Sequence, residues 1–242
     1  MAFISQEVVV IFVALMYHLV DDLEHPMSVS PGDFRRQLML LASAGIEVIQ
    51  ASQALALLDE DRKEKRRRVL LTFDDGYKNT TSDVRSQLEK VGFPALMAVN
   101  SACLDPETVP PGLPHASLDF ANVSEVRGWL SDGHEVAGHG ARHRKLRGLG
   151  AEELRTEIDD DYDHLADVLG TDIRLFCYPF GASDEASRAA VARRYRASFV
   201  TDGGFWPTRA ERYRIRRLQV RPEWDVQEFE RQLSAALLEA NP

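Results

Sequence analysis

The chain has 242 residues, 44% of them hydrophobic, and a formal net charge of −9 at pH 7. This length is enough for one large hydrophobic core, and α/β barrels often use it for a single domain. The acidic balance excludes a general nucleic-acid binder, because phosphate contacts need a surplus of Lys and Arg. The two cysteines, Cys103 and Cys177, are far apart and fit neither a disulfide framework nor a thiolate zinc site.

The apolar run at residues 8–16 resembles a signal peptide in composition but lacks the flanking residues that are typical of one. No Lys or Arg precedes it, no small-residue cleavage site follows it, and it is far shorter than the roughly 20 apolar residues that span a bilayer. Its β-branched residues instead predict a buried strand. We therefore expect no transmembrane segment and a cytoplasmic location, with export of a form whose signal is absent from this chain as the alternative.

Strands and helices alternate along the rest of the chain. Ser30-Pro31 predicts the start of a helix that ends near Gly45, and Ser52 is predicted to cap a short second helix. The other predicted elements are strands at 46–49, 69–73, 94–99, 134–138, 173–178, 197–201 and 213–220, and helices at 80–91, 123–131, 151–169, 184–194 and 225–239. This alternation predicts parallel βαβ units and a barrel of seven or eight strands, with residues 1–242 as one domain. In such barrels the chemistry lies at the carboxyl ends of the strands.

Two adjacent carboxylates, Asp74 and Asp75, follow the strongly apolar strand at 69–73. On an extended chain they point to opposite sides, so that one can bind a metal ion while the other remains free as a base. Asp-Asp-Gly is also typical of an acidic turn, and this motif alone leaves the two interpretations equally supported.

Two histidines, His139 and His143, follow the predicted strand at 134–138. A spacing of four places both on one face if the segment is helical, where they can share a metal ion. Isolated pairs of this kind are usually surface features, but the position at a strand end favours the metal site. His134, at the start of the strand, is predicted to be structural.

A third strand runs into the Pro/Gly turn at 179–181, which can direct a backbone N–H at a developing oxyanion. Cys177 in this strand is predicted to be a small core residue. Two histidines and one carboxylate leave an open coordination position, as in catalytic zinc sites, where the ion activates water. Asp74 would then accept the proton of that water, and His18, at the end of the first strand, is the candidate general acid.

Together these motifs resemble those of the polysaccharide deacetylase family, also called the NodB-homology family or carbohydrate esterase family four. The sequence TFDDGY at 72–77 matches the first family motif, HGARH at 139–143 is similar to the second, and YPFG at 178–181 corresponds to the family's P-Y-G turn. The ordered set covers about residues 8–205. The resemblance implies a distorted (β/α)7/8 barrel.

The resemblance also implies roles for individual residues. It makes Asp74 the catalytic base, and it makes Asp75, His139 and His143 the ligands of one divalent metal ion. The backbone N–H of Phe180 becomes an oxyanion donor. Zinc is the first expectation for the metal, with cobalt, nickel or iron as alternatives, because such nitrogen and oxygen sites accept all four.

Three positions depart from the family pattern. Gly140 replaces the usual Ser or Thr, so a hydroxyl that would hold the second motif is missing. Cys177 stands where many members have an Arg that orients the catalytic Asp, so that orientation must come from elsewhere. No histidine occurs after His164, so the C-terminal motif that supplies the general acid is absent. Poly-N-acetylglucosamine deacetylases have a permuted arrangement in which an N-terminal M-Y-H supplies it, and M-Y-H at 16–18 is similar, which implies that His18 is the acid.

The implied activity is hydrolysis of the N-acetyl group of an amino sugar or a GlcNAc-containing glycan. Tyr77, Tyr178 and Asp202 are predicted to bind substrate, with orientation of His18 as the alternative role for Asp202. One alternative function is a deacylase of the same fold acting on O-acetyl, N-formyl or non-sugar amide substrates. Another is a carbohydrate-binding module without catalysis.

Basic residues form two groups. Arg142, Arg144, Lys145 and Arg147 flank the second motif, and six arginines lie between Arg209 and Arg221. The simpler interpretation of the second group is a charged strand and loop balanced by nearby acids. The alternative is recognition of an anionic substrate.

Overall fold

The computed structural model describes residues 12–59, 66–110, 113, 118–201 and 211–239. The strands within these ranges are β1 (Val13–Tyr17), β2 (Leu19–Val20), β3 (Ser28–Val29), β4 (Glu47–Val48), β5 (Arg68–Phe73), β6 (Leu96–Val99), β7 (Glu135–Gly138), β8 (Leu175–Cys177), β9 (Ala197–Phe199) and β10 (Arg217–Gln219). The α-helices are α1 (Pro31–Ser43), α2 (Ala51–Asp59), α3 (Asp83–Val91), α4 (Val123–Ser131), α5 (Ala151–Leu154), α6 (Asp161–Leu169), α7 (Glu185–Arg194) and α8 (Val226–Glu239).

Seven strands form a nearly closed parallel barrel in the order β10-β1-β5-β6-β7-β8-β9, and β4 pairs with β5 off this path. The gap between β9 and β10 is bridged at Ile215, whose carbonyl accepts from the Val200 N–H at 2.8 Å and whose N–H donates to the Ser198 carbonyl at 2.9 Å. Helices cross between successive parallel strands, as such strands require. The expected distorted (β/α) barrel is therefore confirmed, with seven strands in its wall.

Alternate residues of the strands contribute to two cores. Leu70, Ala98 and Cys177 belong to the cluster inside the barrel, whereas Leu71 and Phe73 pack in the layer between the barrel and the helices. Because side chains alternate with a period of two, the position after Phe73 faces the interior again at the carboxyl end of β5. The barrel wall therefore presents polar side chains at its carboxyl end to one shared interior space.

Some element boundaries differ from the sequence predictions. Ser30 caps α1 as expected, since its hydroxyl accepts from the Asp33 N–H at 3.0 Å. Ser52 does not cap α2, which begins at Ala51. Its N–H instead donates to the Glu135 carboxylate at 3.0 Å, which ties α2 to the amino end of β7.

The predicted helix at 151–169 is interrupted by a π-helical turn, Arg155–Asp160, between α5 and α6. The apolar run at 8–16 contributes β1, the strand between β5 and β10, although residues 8–11 lie outside the described ranges. In the parts of the chain that are described, no helix is long and apolar enough to cross a membrane. The assignment of residues 1–242 to one domain stays a prediction.

Candidate active site

Asp75, His139 and His143 converge at the carboxyl end of the barrel. Asp75 follows β5 and His139 follows β7, two strands separated only by β6. Oδ1 of Asp75 lies 3.2 Å from Nε2 of His139 and 3.1 Å from Nε2 of His143. One ligand atom from each residue lies within 4.8 Å of the others, which makes the three a possible metal site.

The donor set fits a zinc ion. Ligands about 2.0 to 2.1 Å from a tetrahedral ion lie roughly 3.3 Å from one another, close to the separations between Asp75 Oδ1 and the two Nε2 atoms. Nδ1 of His139 lies 2.7 Å from the Cys177 carbonyl. A hydrogen bond there places the proton on Nδ1 and leaves Nε2 as a ligand, as is usual for metal-binding histidines. Without a bound ion both Nε2 atoms can carry a proton instead, and although burial raises the pKa of Asp75, hydrogen bonds from both histidines then hold it well below its usual value.

The backbone that brings these side chains together is not the one expected. The segment after β7 is irregular, with left-handed φ at Gly140 (75°) and His143 (53°), so the two histidines do not share a helical face. Asp75 also has positive φ, 73°, and the divergence of Asp74 and Asp75 therefore does not come from a simple extended chain. Loop conformation, rather than helical spacing, creates the candidate metal site.

Asp74 lies beside this site and pairs with Arg217. Nη1 of Arg217 donates to Oδ1 of Asp74 at 2.7 Å and Nη2 donates to Oδ2 at 2.6 Å. Both residues are almost fully buried, with 2% of Asp74 and 1% of Arg217 exposed. Nη1 also contacts the Thr72 hydroxyl at 3.1 Å and the Cys177 sulfur at 3.6 Å, so the guanidinium has several fixed partners.

This pairing keeps Asp74 ionised. Burial alone raises the pKa of the carboxyl, but the charges of Arg217 and His139 outweigh it, and the pKa lies below its usual value. Arg217 thus orients Asp74, a role that the resembling family gives to an Arg at the position of Cys177. The six arginines at 209–221 were interpreted either as a charged surface or as a site for an anionic substrate. Neither interpretation predicted that one of them, Arg217, faces the barrel interior.

His18 follows β1 and lies within electrostatic range of both aspartates. Burial lowers the pKa of its imidazole, while the charges of Asp75 and Asp74 raise it in part. In turn, His18 contributes to lowering the pKa of both carboxyls. The structure therefore brings His18 to the site, and its role as general acid stays a prediction.

Phe180 lies at the mouth of the site on the turn after β8. Its φ is 57°, its side chain is 48% exposed, and its ring centroid is 4.6 Å from that of His143. The Phe180 carbonyl accepts from the Thr201 hydroxyl at 3.2 Å. Gly181, with φ 64°, follows, and a Cβ there would lie only 2.1 Å from Thr201 Oγ1. This close packing fixes the peptide between Phe180 and Gly181 beside His143.

The three predicted substrate contacts have different outcomes. Tyr77 is buried, stacks on Phe120 at 5.3 Å, and has a raised pKa owing to burial and the charge of Asp75, so it lies beside the site. Tyr178 is fully buried in the layer between barrel and helices, against Phe176, which leaves its backbone but not its ring near the site. The buried ring is therefore not available for the substrate contact that was predicted for the Tyr178 side chain. Asp202 lies outside the described residues.

Of the basic residues near the second motif, Arg144 pairs with Glu153 at 2.7 Å and Arg147 donates to a backbone carbonyl. Lys145 Nζ lies 5.1 Å from the centroid of the Phe180 ring, and so remains close to the mouth of the site. The prediction of an anionic substrate now depends mainly on Lys145 and on Arg142, whose side chain is exposed.

Two residues, His134 and Cys177, were predicted to have structural rather than catalytic roles, and both are buried. His134 is buried at the amino end of β7 and stacks on Trp129, with ring centroids 4.0 Å apart. Cys177 is fully buried in the barrel interior, where burial raises the pKa of its thiol.

Comparison with known proteins gives one family and a group of similar structures. The sequence profile of a family described as polysaccharide deacetylase matches residues 61–197, more than half of the chain. The YxkH protein of Bacillus subtilis (strain 168) is 23% identical over 209 residues, which cover 86% of this chain and 71% of the relative.

Two solved structures have nearly the same extent as this chain. The Streptococcus pyogenes deacetylase PplD, in complex with acetate, superposes with a TM-score of 0.80 at 18% identity, covering 92% of this chain and 97% of that one. A de-N-acetylase from Aggregatibacter actinomycetemcomitans superposes with a TM-score of 0.78 at 17% identity, covering 91% and 99%. At these identities the two structures support the fold.

Proposed function

Because the chain belongs to the polysaccharide deacetylase family, we propose that it is a metal-dependent hydrolase that removes the N-acetyl group from an amino sugar or a GlcNAc-containing glycan. One observation carries this proposal. The three candidate ligands converge with nitrogen and oxygen atoms at zinc-like separations, and a separate ionised carboxylate is held beside them. The similarity in fold to a de-N-acetylase supports the N-acetyl group as the target.

Asp75, His139 and His143 would hold the ion, with zinc the first candidate and cobalt, nickel or iron as alternatives. When bound, such an ion supplies Lewis acidity, which polarises an acyl carbonyl and makes water more acidic. Asp74 is not one of the three ligands, and its lowered pKa keeps it in the carboxylate form that can accept a proton at neutral pH. Arg217 holds both of its oxygens and so sets its direction.

The reaction needs a base, an oxyanion donor and an acid. Asp74 takes a proton from water as the water oxygen bonds to the acetyl carbon. The N–H of Phe180 stabilises the negative charge on the carbonyl oxygen. His18 gives a proton to the nitrogen as the C–N bond breaks, and acetate and a free amine leave. The lowered pKa of His18 makes its protonated form a stronger acid than free imidazolium, and the nearby aspartate charges favour that form.

The decisive experiment measures acetate release and metal content for Asp74→Asn. Loss of a general base is expected to lower kcat by about 10²- to 10⁴-fold while the bound metal stays stoichiometric, because Asp74 is not among the proposed ligands. Asp167→Asn, an exposed change of the same chemistry on α6, is the matched control and should leave both unchanged.

A panel of N-acetyl, O-acetyl and N-formyl substrates separates the alternatives. Turnover of the O-acetyl or N-formyl members without the N-acetyl members would replace the proposed substrate by one of the alternative deacylations. Glycan binding without release of any acyl group would favour a binding module. Undiminished turnover by Asp74→Asn would show that the base is misassigned.

A further inference from the structure

The loop that carries two of the proposed ligands needs external support. We call residues 138–143 the metal loop. Gly140 and His143 in this loop have positive φ, and a non-glycine residue such as His143 is strained in that region. On the side of β6, Asn100 Nδ2 donates to the carbonyls of His139 and Gly140 at 2.6 and 2.8 Å. The support on the opposite side comes from a helix.

Glu157 supplies that support. Its Oε2 accepts from the Arg142 N–H at 3.0 Å, and its backbone carbonyl accepts from the Ala141 N–H at 3.3 Å. A Cβ on Gly140 would lie only 3.2 Å from the same Oε2, so the carboxylate packs directly against the bare backbone of the loop. Glu157 therefore occupies the side of the loop next to the position where the family's Ser or Thr would stand.

The environment of Glu157 is unfavourable for a purely structural residue. Only 1% of it is exposed, its Oε1 has no hydrogen-bond partner, and no salt bridge to it is found within the described ranges. Burying a carboxylate without a charged partner is costly. A buried carboxylate that contacts the metal loop through one backbone N–H therefore indicates a functional requirement at this position.

Glu157 reaches the loop from a π-helical turn. Glu157 lies within the turn Arg155–Asp160, which interrupts an otherwise continuous helix. The wider turn shifts the residues that follow it by one position relative to an α-helix, a rotation of about 100°. Asp161, at the end of this turn, accepts from the Ser101 N–H at 3.2 Å, so the helix is tied to the barrel at a second point. π-Helical turns of this kind occur frequently at functional sites.

We propose that Glu157 is a positioning residue for the metal site: by accepting from the Arg142 N–H it holds the metal loop so that Nε2 of His143 faces Asp75. It replaces the hydroxyl that Gly140 lacks, and it acts through the backbone without touching the ion. The inference rests on the proposed function, since it assumes that Asp75, His139 and His143 hold a metal ion.

Three substitutions at Glu157 separate the hydrogen bond from the charge. Glu157→Gln keeps an acceptor oxygen at the same reach, Glu157→Asp keeps the charge but withdraws the acceptor by one methylene, and Glu157→Ala removes both. Affinity for Zn²⁺, measured by chelator competition, and the visible absorption of the Co²⁺ form report on the site without any activity measurement. Glu157→Ala and Glu157→Asp should weaken metal binding by about 10- to 100-fold, and Glu157→Gln should stay within about threefold of wild type. Asp160→Ala, an exposed acid on the same turn that pairs with Arg155, is the control and should have no effect.

The outcomes distinguish this inference from the proposed function. Wild-type protein that binds metal and releases acetate, together with wild-type metal affinity in Glu157→Ala and Glu157→Asp, would overturn the role of Glu157 and leave the proposed function intact. Weakened binding in Glu157→Gln with normal binding in Glu157→Asp would show that charge matters, again overturning the inference. Wild-type protein that binds no metal would refute both. If Glu157→Ala fails to fold, as judged by circular dichroism, the contrast between the Gln and Asp variants decides.

Discussion

Replacing Arg217 by methionine tests how the candidate base is kept ionised. The change removes two short hydrogen bonds, of 2.7 and 2.6 Å, from a carboxylate that is 2% exposed, while methionine fills much of the same space. Removing one partner of a buried ion pair typically costs about 3 to 5 kcal/mol, because the other charge is left in a poorly solvating environment. We expect a loss of stability of this size at pH 7 to 8.

The pH dependence should change in a defined direction. In the wild type the pKa of Asp74 is lowered, so its contribution to stability is present above the unfolded-state pKa and is lost as the pH falls through the folded-state pKa. Without Arg217 the effect of burial dominates, and the pKa of Asp74 should rise above its usual value. The variant should then lose stability as the pH rises, and its deficit relative to wild type should shrink at acidic pH.

Activity should follow the same shift. The base form of Asp74 would be reached only at higher pH, so the acid limb of kcat/KM should move upward in Arg217→Met. Urea denaturation from pH 5 to 8 and the pH profile of acetate release measure the two effects. Arg212→Met is the matched control, because Arg212 belongs to the same arginine-rich segment but pairs with the exposed Asp59, and it should cost at most about 1 kcal/mol. An unshifted acid limb, with a stability loss no larger than that of the control, would refute the role of Arg217.

Two further predictions concern neighbouring parts of the site. Burial raises the pKa of Asp161 from 3.8 to about 7, so its favourable contribution is present below the unfolded-state pKa and is lost as the pH rises through the folded-state value. In metal-free protein, wild type should therefore lose about 3 kcal/mol more stability than Asp161→Asn between pH 5 and 8, and equal slopes in urea denaturation would contradict this. Gly181→Ala places a Cβ 2.1 Å from Thr201 Oγ1 at a residue with positive φ, and should cost about 2 kcal/mol or more. Because the displaced turn carries the Phe180 N–H, kcat should fall by about 100-fold with metal affinity unchanged, whereas a lowered metal affinity would show that the turn acts on the ligands instead.

The sequence by itself was sufficient for the barrel and for the residues that meet at the candidate metal site. Strand and helix signals are local, and parallel strands bring their carboxyl ends to one edge, so residues that directly follow β5 and β7 had to lie near each other. Asp74, Asp75, His139 and His143 were identified for this reason, and His18 by the same reasoning together with the resemblance. Boundaries were less accurate at Ser52 and in the helix at 151–169, where contacts with distant residues override local preference.

Only the tertiary structure decided which residues hold these groups in place. Arg217 lies 143 positions from Asp74 along the chain. Arginines occur at both even and odd positions around it, so the alternation of a strand does not identify the one that faces the barrel interior. Closure of the barrel places β10 beside β1, and Arg217 then reaches the space that a small Cys177 leaves open. Glu157 reaches the metal loop through a π-helical turn that helical periodicity does not predict. The residue type and its place at a strand end indicate what a side chain can bind. Its orientation depends on contacts between segments that only folding brings together.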